Sequence, residues 1–282
     1  MIRTGVFYSK NSEEEADILV RSFKEVSVVS PVKGRKLDNI SVLEMKKEMA
    51  LLDAAYFAGN SWNPEEVKMI LRDEEHLYCE TIPLISLEKA KFFYKLETEA
   101  GCIVQFFHPY IFLPCNFNQY KKLQTPFFID GHLKFGIKDN LEQQILYFLL
   151  FAISVDNSQF SRSEVYSIEN GKTFSVLDIN LYFSSGSLVR LNLSPLSPVA
   201  SNISVYQRNN SRLSFSLYDN RDVKDRNPER NAFGCFVKAV NGKPSLIISF
   251  AQIYQANLIL EDIKEKLRFR GSALLKSNSL KG

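Results

Sequence analysis

The chain has 282 residues, a formal net charge of +3 and 45% hydrophobic residues. This length suits two domains better than one. The small net charge, with Lys and Arg dispersed among acidic residues, argues against a nucleic-acid partner, and the apolar fraction argues against a largely disordered chain.

The cysteines and the apolar runs bear on the compartment. The cysteines show no close paired spacing, so we expect neither a metal site nor a redox motif; they are Cys79, Cys102, Cys115 and Cys235. A cytoplasmic, reducing compartment is the simplest interpretation. Polar residues follow Tyr8 too soon for a signal-peptide core. The longest apolar run, 145–153, is shorter than the roughly 20 residues of a membrane span, so we expect no membrane contact.

Strand and helix patterns alternate through the first hundred residues. Strands are predicted at 3–8, 27–32, 54–58, around Tyr78 and at 103–107. Helices are predicted from the acidic run 13–15 onward, at 42–52, at 64–71 and at 86–100. This α/β rhythm predicts a Rossmann-like domain, residues 1–105, with a parallel sheet and helices on both of its faces.

From residue 106 the pattern changes to a second, α+β domain, which we assign to residues 106–270. A helix is predicted at 140–153, and strands at 176–183, at 188–193 and in a hairpin at 203–217. These features predict a predominantly antiparallel open sheet of five or six strands, with one face on the 140–153 helix. The last helices, 232–267, are expected to pack at the domain junction, and the tail 271–282 to be disordered.

The second face of this sheet is a candidate interface. The run 177–183 alternates an apolar set with Asp178, Asn180 and Tyr182, and neighbouring strands add Asn, Ser, Tyr and Arg to the same face. Interfaces favour Tyr and Arg over Lys and Glu. An ordinary solvated face is the alternative. We expect a homodimer, or a dimer of dimers, built on this face.

The turns that would hold a dinucleotide lack the usual residues. A pyrophosphate needs glycines after the first strand, because the backbone approaches it closely, yet Tyr8, Lys10 and about Glu13 stand at those places. The second strand ends in Ser30 and Pro31 rather than in an acidic residue for the ribose. The basic residues that follow belong to a solvated loop or hold a 2′-phosphate; they are Lys33, Arg35 and Lys36.

Three segments resemble the glucose–fructose oxidoreductase, inositol dehydrogenase and MocA-like family. Residues 52–58 with Asn60 resemble the family's strand Asp-Ala-Val-Tyr-Ile-Ala-Thr-Pro-Asn. Residues 79–84 resemble its Cys-Glu-Lys-Pro-Leu signature, and residues 236–244 its Phe-Val-Asp-Ala-Ile-Arg-Asn-Gly-Lys-Pro segment. The resemblance implies the family's two-domain oxidoreductase fold, its nicotinamide cofactor and subunit pairing through the C-terminal sheet.

The catalytic residues that the resemblance implies are missing. Thr81 and Ile82 stand where the family has its lysine, and the His-x-x-Asp pair falls near Glu142 and Ile145. The histidine after the family's Pro-Asn turn is Asn63. The remaining candidates for catalysis are Glu80, Thr81, His108 and Glu142, with His132 as a further histidine in a predicted loop. The candidates for cofactor contact are Tyr8, Ser9, Lys10, Ser30 and Asn60.

Two functions of different classes remain open. The leading hypothesis is a degenerate member without cofactor that acts in binding or assembly, since the glycine loop, ribose acid, lysine and His-Asp pair are missing together. The alternative is an active NAD- or NADP-dependent oxidoreductase with a rearranged site, whose candidate residues are Tyr8, Tyr78, Glu80, His108 and Glu142. A hydrolase or transferase that uses Cys79 lacks a visible base.

Overall fold

The computed structural model describes residues 1–8, 18–28, 52–59, 62–113, 123, 127–134, 140–170, 173–194, 201–209, 211–216 and 227–269. The chain forms two compact units. Unit 1 combines Met1–His108 with Val223–Tyr254, and unit 2 combines Pro109–Asp222 with Gln255–Gly282. The stretch 223–254 thus groups with the N-terminal unit, whereas a junction position for helices 232–267 stays a prediction.

Unit 1 is built on a five-stranded parallel sheet in the order β2–β1–β3–β4–β5. Its strands are β1 (Ile2–Tyr8), β2 (Val26–Val28), β3 (Ala54–Ala58), β4 (His76–Cys79) and β5 (Val104–Phe106). Every residue of β3 and β5 is buried, as in a parallel sheet that is covered on both faces. The predicted Rossmann-like sheet is confirmed.

Two helices of this unit begin and end where the sequence predicts. Helix α1 (Pro64–Arg72) begins with a proline, and the Asn63 side chain caps it by accepting the Glu65 N–H at 3.0 Å. Helix α2 (Leu87–Ala100) begins at the Ser86 cap and ends at Gly101, whose φ of 64° suits a residue without a β-carbon. Asn63, at the place of the family's histidine, is therefore a helix cap.

Unit 2 contains a six-stranded sheet in the order β11–β10–β6–β9–β8–β7. Its strands are β6 (Phe127–Lys134), β7 (Phe160–Asn170), β8 (Thr173–Phe183), β9 (Leu188–Ser194), β10 (Asn202–Gln207) and β11 (Arg212–Ser216). All neighbours are antiparallel except β6 and β9, which run parallel. The predominantly antiparallel sheet and the 203–217 hairpin are confirmed, while β6 and β7 have no counterpart among the predicted strands.

One face of this sheet packs on helix α3 (Leu141–Val155), which Asn140 caps. The contact is close at the centre of the sheet: a β-carbon built on Gly131 would lie 2.2 Å from the buried ring of Phe148. Phe151 of the same helix meets Phe215 of β11, with ring centroids 5.1 Å apart. Glycine in β6 therefore lets the helix approach the sheet.

The last two helices begin at residues that differ from the prediction. The polar residues before Ala232 suggest a loop, yet α4 (Asn227–Val240) already begins with Pro228 and Glu229 in its first turn, where a fixed φ and a carboxylate favour a helix. Helix α5 (Phe250–Phe269) begins four residues after the predicted start at Leu246. Ser249 and Gln252 form a capping box there: the Ser249 N–H donates to Gln252 Oε1 at 2.9 Å, and the Ala251 N–H donates to Ser249 Oγ at 3.2 Å.

Some predicted elements lie outside the described residues. They are the start of the first helix at 13–15, the end of the second strand beyond residue 28, almost all of the 42–52 helix and the tail 271–282. Among the helices that the structure does describe, none has the length and apolar character of a membrane span.

Candidate functional site

The candidate site lies at the carboxyl ends of β3 and β4 in unit 1. Strand β1 sits between β2 and β3, so the direction of winding reverses beside β1. Open parallel sheets bind ligands outside the carboxyl ends of their strands, next to this reversal. Gly59 follows β3 directly and Glu80 follows β4, so the sequence places polar groups at this edge.

Glu80 binds the end of the neighbouring strand. Its Oε1 accepts the hydroxyl of Tyr56 at 2.5 Å, and its Oε2 accepts the N–H of Gly59. The Glu80 N–H also donates to the Phe57 carbonyl at 2.9 Å, which continues the ladder of the sheet. Both oxygens of this candidate carboxylate thus stabilise the turn after β3.

Thr81 binds the same turn from the other side. Its Oγ1 donates to the carbonyl of Gly59 at 3.1 Å. Gly59 has a φ of 61°, a left-handed conformation that favours glycine. The glycine and its two hydrogen-bond partners, Glu80 and Thr81, therefore both favour this turn. The two residues at the place of the family's Glu-Lys pair therefore hold both backbone polar groups of Gly59.

Two stacked tyrosines lie under this edge. The rings of Tyr56 and Tyr78 are 4.8 Å apart at 26°, and both meet Phe233 of α4 edge-on. Burial, and then the nearby acidic groups, raise the pKa of both phenols well above the usual value. The Tyr78 hydroxyl is buried and has no hydrogen-bond partner within the described ranges.

The buried cysteines have the character of inert core residues. Cys79, Cys102 and Cys235 are free and buried, whereas Cys115 lies outside the described residues. Burial, followed by the charge of Glu80, raises the pKa of the Cys79 thiol well above its ordinary value. A thiol in such surroundings is a poor nucleophile, which counts against a hydrolase or transferase that uses Cys79.

Glu142 lies in unit 2, at the start of α3, and forms an ion pair with the buried Lys264 of α5. The Lys264 side chain is only 6% exposed, and its Nζ also donates to Glu261 at 3.0 Å. Burial would lower the pKa of this ammonium, but its hydrogen bonds to Glu142 and Glu261 outweigh burial and raise it. Sequence reasoning missed Lys264, although a lysine among Leu260, Ile263 and Leu267 on the apolar stripe of α5 signals a buried cation.

The histidines occupy different surroundings. His108 follows β5 and is fully buried. His132 is expected in a loop but lies within β6, because its strand continues across Gly131, and its Nε2 is 3.2 Å from Asp130 Oδ2. Within the described ranges, no group of three or more His, Cys, Asp or Glu side chains is arranged to hold a metal ion.

The cofactor candidates cannot be placed relative to one another. Ser9, Lys10, Ser30 and Asn60 lie outside the described residues. Tyr8 closes β1, and only its backbone is described. Of the candidates for catalysis, the structure brings together Glu80 and Thr81 in unit 1 and places Glu142 in unit 2.

The opposite edge of the same sheet holds a second polar cluster. Asp53 binds Arg3 through two side-chain hydrogen bonds of 2.6 and 3.0 Å, and His76 Nδ1 accepts the Ile103 N–H at 3.0 Å. Glu75 is 5% exposed, and burial together with the carboxylates of Asp73 and Asp53 raises its pKa to about 8, while Arg3 acts in the opposite sense.

This raised pKa predicts a loss of stability with rising pH. Between pH 4.5 and 8 the unfolded chain has released the proton that the folded chain still holds on Glu75, so the free energy of unfolding falls, on the order of 5 kcal/mol in total for this group. Burial also raises the pKa of Glu97 to about 8, although its hydrogen bonds from the N–H groups of Phe250 and Ala251 lower it, so this group acts in the same direction as Glu75.

Thermal unfolding at pH 6 and pH 9 measures the effect. We expect a lower Tm at pH 9, and we expect Glu75→Gln to reduce the difference between the two values. A Tm that is equal at both pH values, and equally so in Glu75→Gln, contradicts the assignment.

Comparison with known proteins supports the fold and leaves the chemistry open. No family model matches the sequence, and no curated protein matches it. Solved structures do match. A dehydrogenase from Chromobacterium violaceum has a TM-score of 0.71 at 11% identity, with 95% of this chain and 96% of that chain covered.

Two further structures of similar fold are dehydrogenases with named substrates. The myo-inositol dehydrogenase from Lactobacillus casei, in complex with NAD(H) and myo-inositol, has a TM-score of 0.68 at 10% identity, with 95% of each chain covered. The UDP-N-acetylglucosamine 3-dehydrogenase from Acidithiobacillus ferrooxidans has a TM-score of 0.62 at 11% identity, with 94% of this chain and 97% of that chain covered. The resemblance expected from the sequence is thus confirmed at the level of the fold.

Proposed function

From this shared dehydrogenase fold, we propose that the chain is a degenerate member of the glucose–fructose oxidoreductase and inositol dehydrogenase family. It has lost dinucleotide binding and hydride transfer, and it acts as a binding or assembly protein. Its cysteines, of which three are buried free thiols, favour a cytoplasmic location.

The observation that carries the proposal is the use of Glu80 and Thr81. An acid or base must reach the proton that it transfers in order to catalyse. Glu80 accepts hydrogen bonds from Tyr56 and Gly59, and Thr81 donates to the same glycine. At the edge where the family's lysine would act on a substrate, Glu80 and Thr81 therefore stabilise a turn.

The other candidate carboxylate supports the same conclusion. Glu142 falls where the resemblance places the histidine of the family's His-x-x-Asp pair, and a buried lysine holds it. Its Oε1 accepts from the Lys264 ammonium, so chemistry at this oxygen would require the ion pair to break. Its observed role is to neutralise Lys264.

A nicotinamide cofactor fits poorly at the part of its site that the structure describes. The hydroxyl of Thr81 stands in place of a lysine ammonium, and the neighbouring carboxylate already accepts two hydrogen bonds. The turns for pyrophosphate and ribose lie outside the described residues, and their sequences offer Tyr8, Lys10 and Ser30 instead of the glycines and the acid. We derive no hydride-transfer step for this chain.

The alternative is an active NAD- or NADP-dependent oxidoreductase with a rearranged site. One observation favours it: the buried Tyr78 hydroxyl has no partner in the described part of the chain, and burial, followed by the nearby charge of Glu80, raises its pKa well above the usual value. A phenol can serve as a proton donor. Binding of a dinucleotide is the property that separates the two functions.

The assembly that we propose is a homodimer through the open face of the unit 2 sheet, the face opposite α3. Aromatic and arginine side chains cover this face: Arg162 lies 4.2 Å over the ring of Tyr182, and Phe128 stacks on Tyr206 at 5.7 Å. Phe128 and Tyr206 remain 36% and 37% exposed. Tyr166 and Ile168 on β7 are more exposed still. This mixture is typical of interface cores.

Light scattering on the purified chain at micromolar concentration tests the assembly. We expect the mass of a dimer or of a dimer of dimers. Tyr182→Glu should dissociate it, because the interface would then bury an unpaired carboxylate next to that of Glu164, which now accepts the Tyr182 hydroxyl at 3.0 Å. The circular dichroism spectrum should stay unchanged. A monomeric mass for the wild-type chain means that this part of the proposal is wrong.

A further inference from the structure

The outer side of strand β7 is an edge of the unit 2 sheet. Strand β7 pairs with β8 on one side, and among the described residues no strand pairs with its other side. Such an edge presents a row of backbone N–H and C=O groups that can pair with another chain, and proteins usually block it with bulges, lysines or prolines. The two halves of β7 differ in this protection.

The amino-terminal half of β7 is blocked. Its pairing with β8 skips Ser161, which forms a β-bulge in β7. Two residues further on, the Ser163 carbonyl accepts the ammonium of Lys266 from α5 at 2.8 Å. A bulge and a lysine thus cover this end of the edge.

The carboxyl-terminal half of β7 exposes apolar side chains. The register shift after Ile168 adds Ser175 to β8 and no residue to β7, so β7 itself is regular over residues 162–170. The side chains of Tyr166 and Ile168 are 51% and 64% exposed. An edge with exposed apolar side chains is typical of a strand that pairs with another chain.

Hydrogen bonds show which backbone groups of β7 face outward. The Ser184 N–H donates to the Gln159 carbonyl at 2.8 Å, so position 184, just after β8, and every second residue before it face β7. These residues pair with the even-numbered residues of 162–166. The N–H and C=O groups of Val165 and Ser167 therefore point away from β8, toward the outer side of the edge.

We propose that two copies of this chain join their β7 edges in antiparallel fashion about a two-fold axis at Ser167, so that two six-stranded sheets become one continuous sheet. Ser167 of each copy exchanges two N–H···O=C bonds with Ser167 of the other. Tyr166 of each copy lies opposite Ile168 of the other, and such aromatic and β-branched pairs stabilise neighbouring strands. This contact goes beyond the proposed homodimer and does not depend on the open face.

The contact of Lys266 with Ser163 selects this register. An axis at Val165 would set Ser163 opposite Ser167 of the second copy, although the Ser163 carbonyl already binds Lys266. An axis at Ser167 leaves Ser163 outside the paired stretch. It also joins the two most exposed apolar side chains of the strand to each other. Because β7 supplies both members of this pair, the partner that the edge fits is a second copy of the chain.

Oxidative cross-linking of Ser167→Cys tests the axis. Opposite residues of a hydrogen-bonded antiparallel pair have Cα atoms about 5.5 Å apart, within the range that a disulfide spans. Ser167→Cys alone should therefore form a covalent dimer. Ser161→Cys, exposed on the same strand but in its bulge, is the matched control and should not cross-link; neither should the wild-type chain with its own cysteines. If Ser167→Cys forms no more covalent dimer than Ser161→Cys, the proposed axis is wrong.

Ser167→Pro separates this contact from the open face. Proline removes an N–H that points away from β8, so an edge strand tolerates it and the circular dichroism spectrum should stay unchanged. Sedimentation over a range of concentrations should show self-association at the edge weakened at least about 10-fold, since both central hydrogen bonds are lost. Tyr182→Glu, at the open face, should leave the Ser167→Cys cross-link intact. An assembly of Ser167→Pro equal to wild type at every concentration overturns the edge contact, whether or not the open-face dimer forms.

Discussion

Replacement of Lys264 by methionine should lower the free energy of unfolding by about 3–5 kcal/mol, the usual cost of removing one partner from a buried ion pair. Lys264 holds Glu142 and Glu261 from a position that is only 6% exposed. Without the ammonium, the Glu142 carboxylate keeps its partly buried position and loses its compensating charge. Chemical denaturation monitored by circular dichroism measures the change.

Lys266→Met provides a matched control on the same helix. Lys266 pairs with Asp262 at 2.7 Å and donates to the carbonyl and hydroxyl oxygens of Ser163 at 2.8 and 2.9 Å. Its side chain is 35% exposed, so its loss should cost less than that of Lys264, about 1–2 kcal/mol. Addition of Glu142→Leu to Lys264→Met should recover much of the lost stability. A cost below about 1 kcal/mol for Lys264→Met would contradict the account, since Glu142 would then be available for proton transfer.

Glu80→Ala should lower the free energy of unfolding by about 2–4 kcal/mol, because it leaves the Gly59 N–H and the buried Tyr56 hydroxyl without an acceptor. Glu80→Gln should retain more than half of that stability, since the amide oxygen can still accept from Gly59 and the amide nitrogen can donate to Tyr56. Thermal and denaturant unfolding of both variants measure the difference.

The stability of Glu80→Ala relative to the wild-type chain also distinguishes a structural carboxylate from a catalytic one. Enzymes often become more stable when a catalytic residue is replaced, because active sites hold strained groups or polar groups that lack hydrogen-bond partners. Glu88→Ala, at an exposed position in the first turn of α2, controls for the loss of a carboxylate and should cost only a few tenths of a kcal/mol. An equal or higher stability of Glu80→Ala would mean that Glu80 is free for chemistry.

Much of the fold could be predicted from local patterns. Periodicity gave β3 at its observed bounds, and the helices predicted at 64–71 and 86–100 lie within one residue of α1 and α2. The order of three short motifs gave the two-domain fold. These signals are local, so one sequence suffices to find them.

The missed features depend on contacts that are distant in the chain. Strand β6 contains Gly131 and Asp130, which weaken a strand pattern, and its glycine is explained only by Phe148, a residue of the following helix. The structural role of Glu80 was missed for the same reason. Glu80 follows the family pattern, but its partners Tyr56 and Gly59 lie 24 and 21 residues away. Spacing in the sequence does not indicate that a carboxylate binds the end of a neighbouring strand.

A titration measures whether the chain has lost the nicotinamide cofactor. Purified chain is titrated with NADH and with NADPH at physiological salt while the fluorescence of the nicotinamide is followed, with an active dehydrogenase of the same fold as a positive control. We predict that neither dinucleotide saturates the chain below about 1 mM, a binding free energy weaker than about 4 kcal/mol. Saturable binding of either dinucleotide in the micromolar range would mean that the cofactor has not been lost, and it would favour the alternative, an oxidoreductase with a rearranged site.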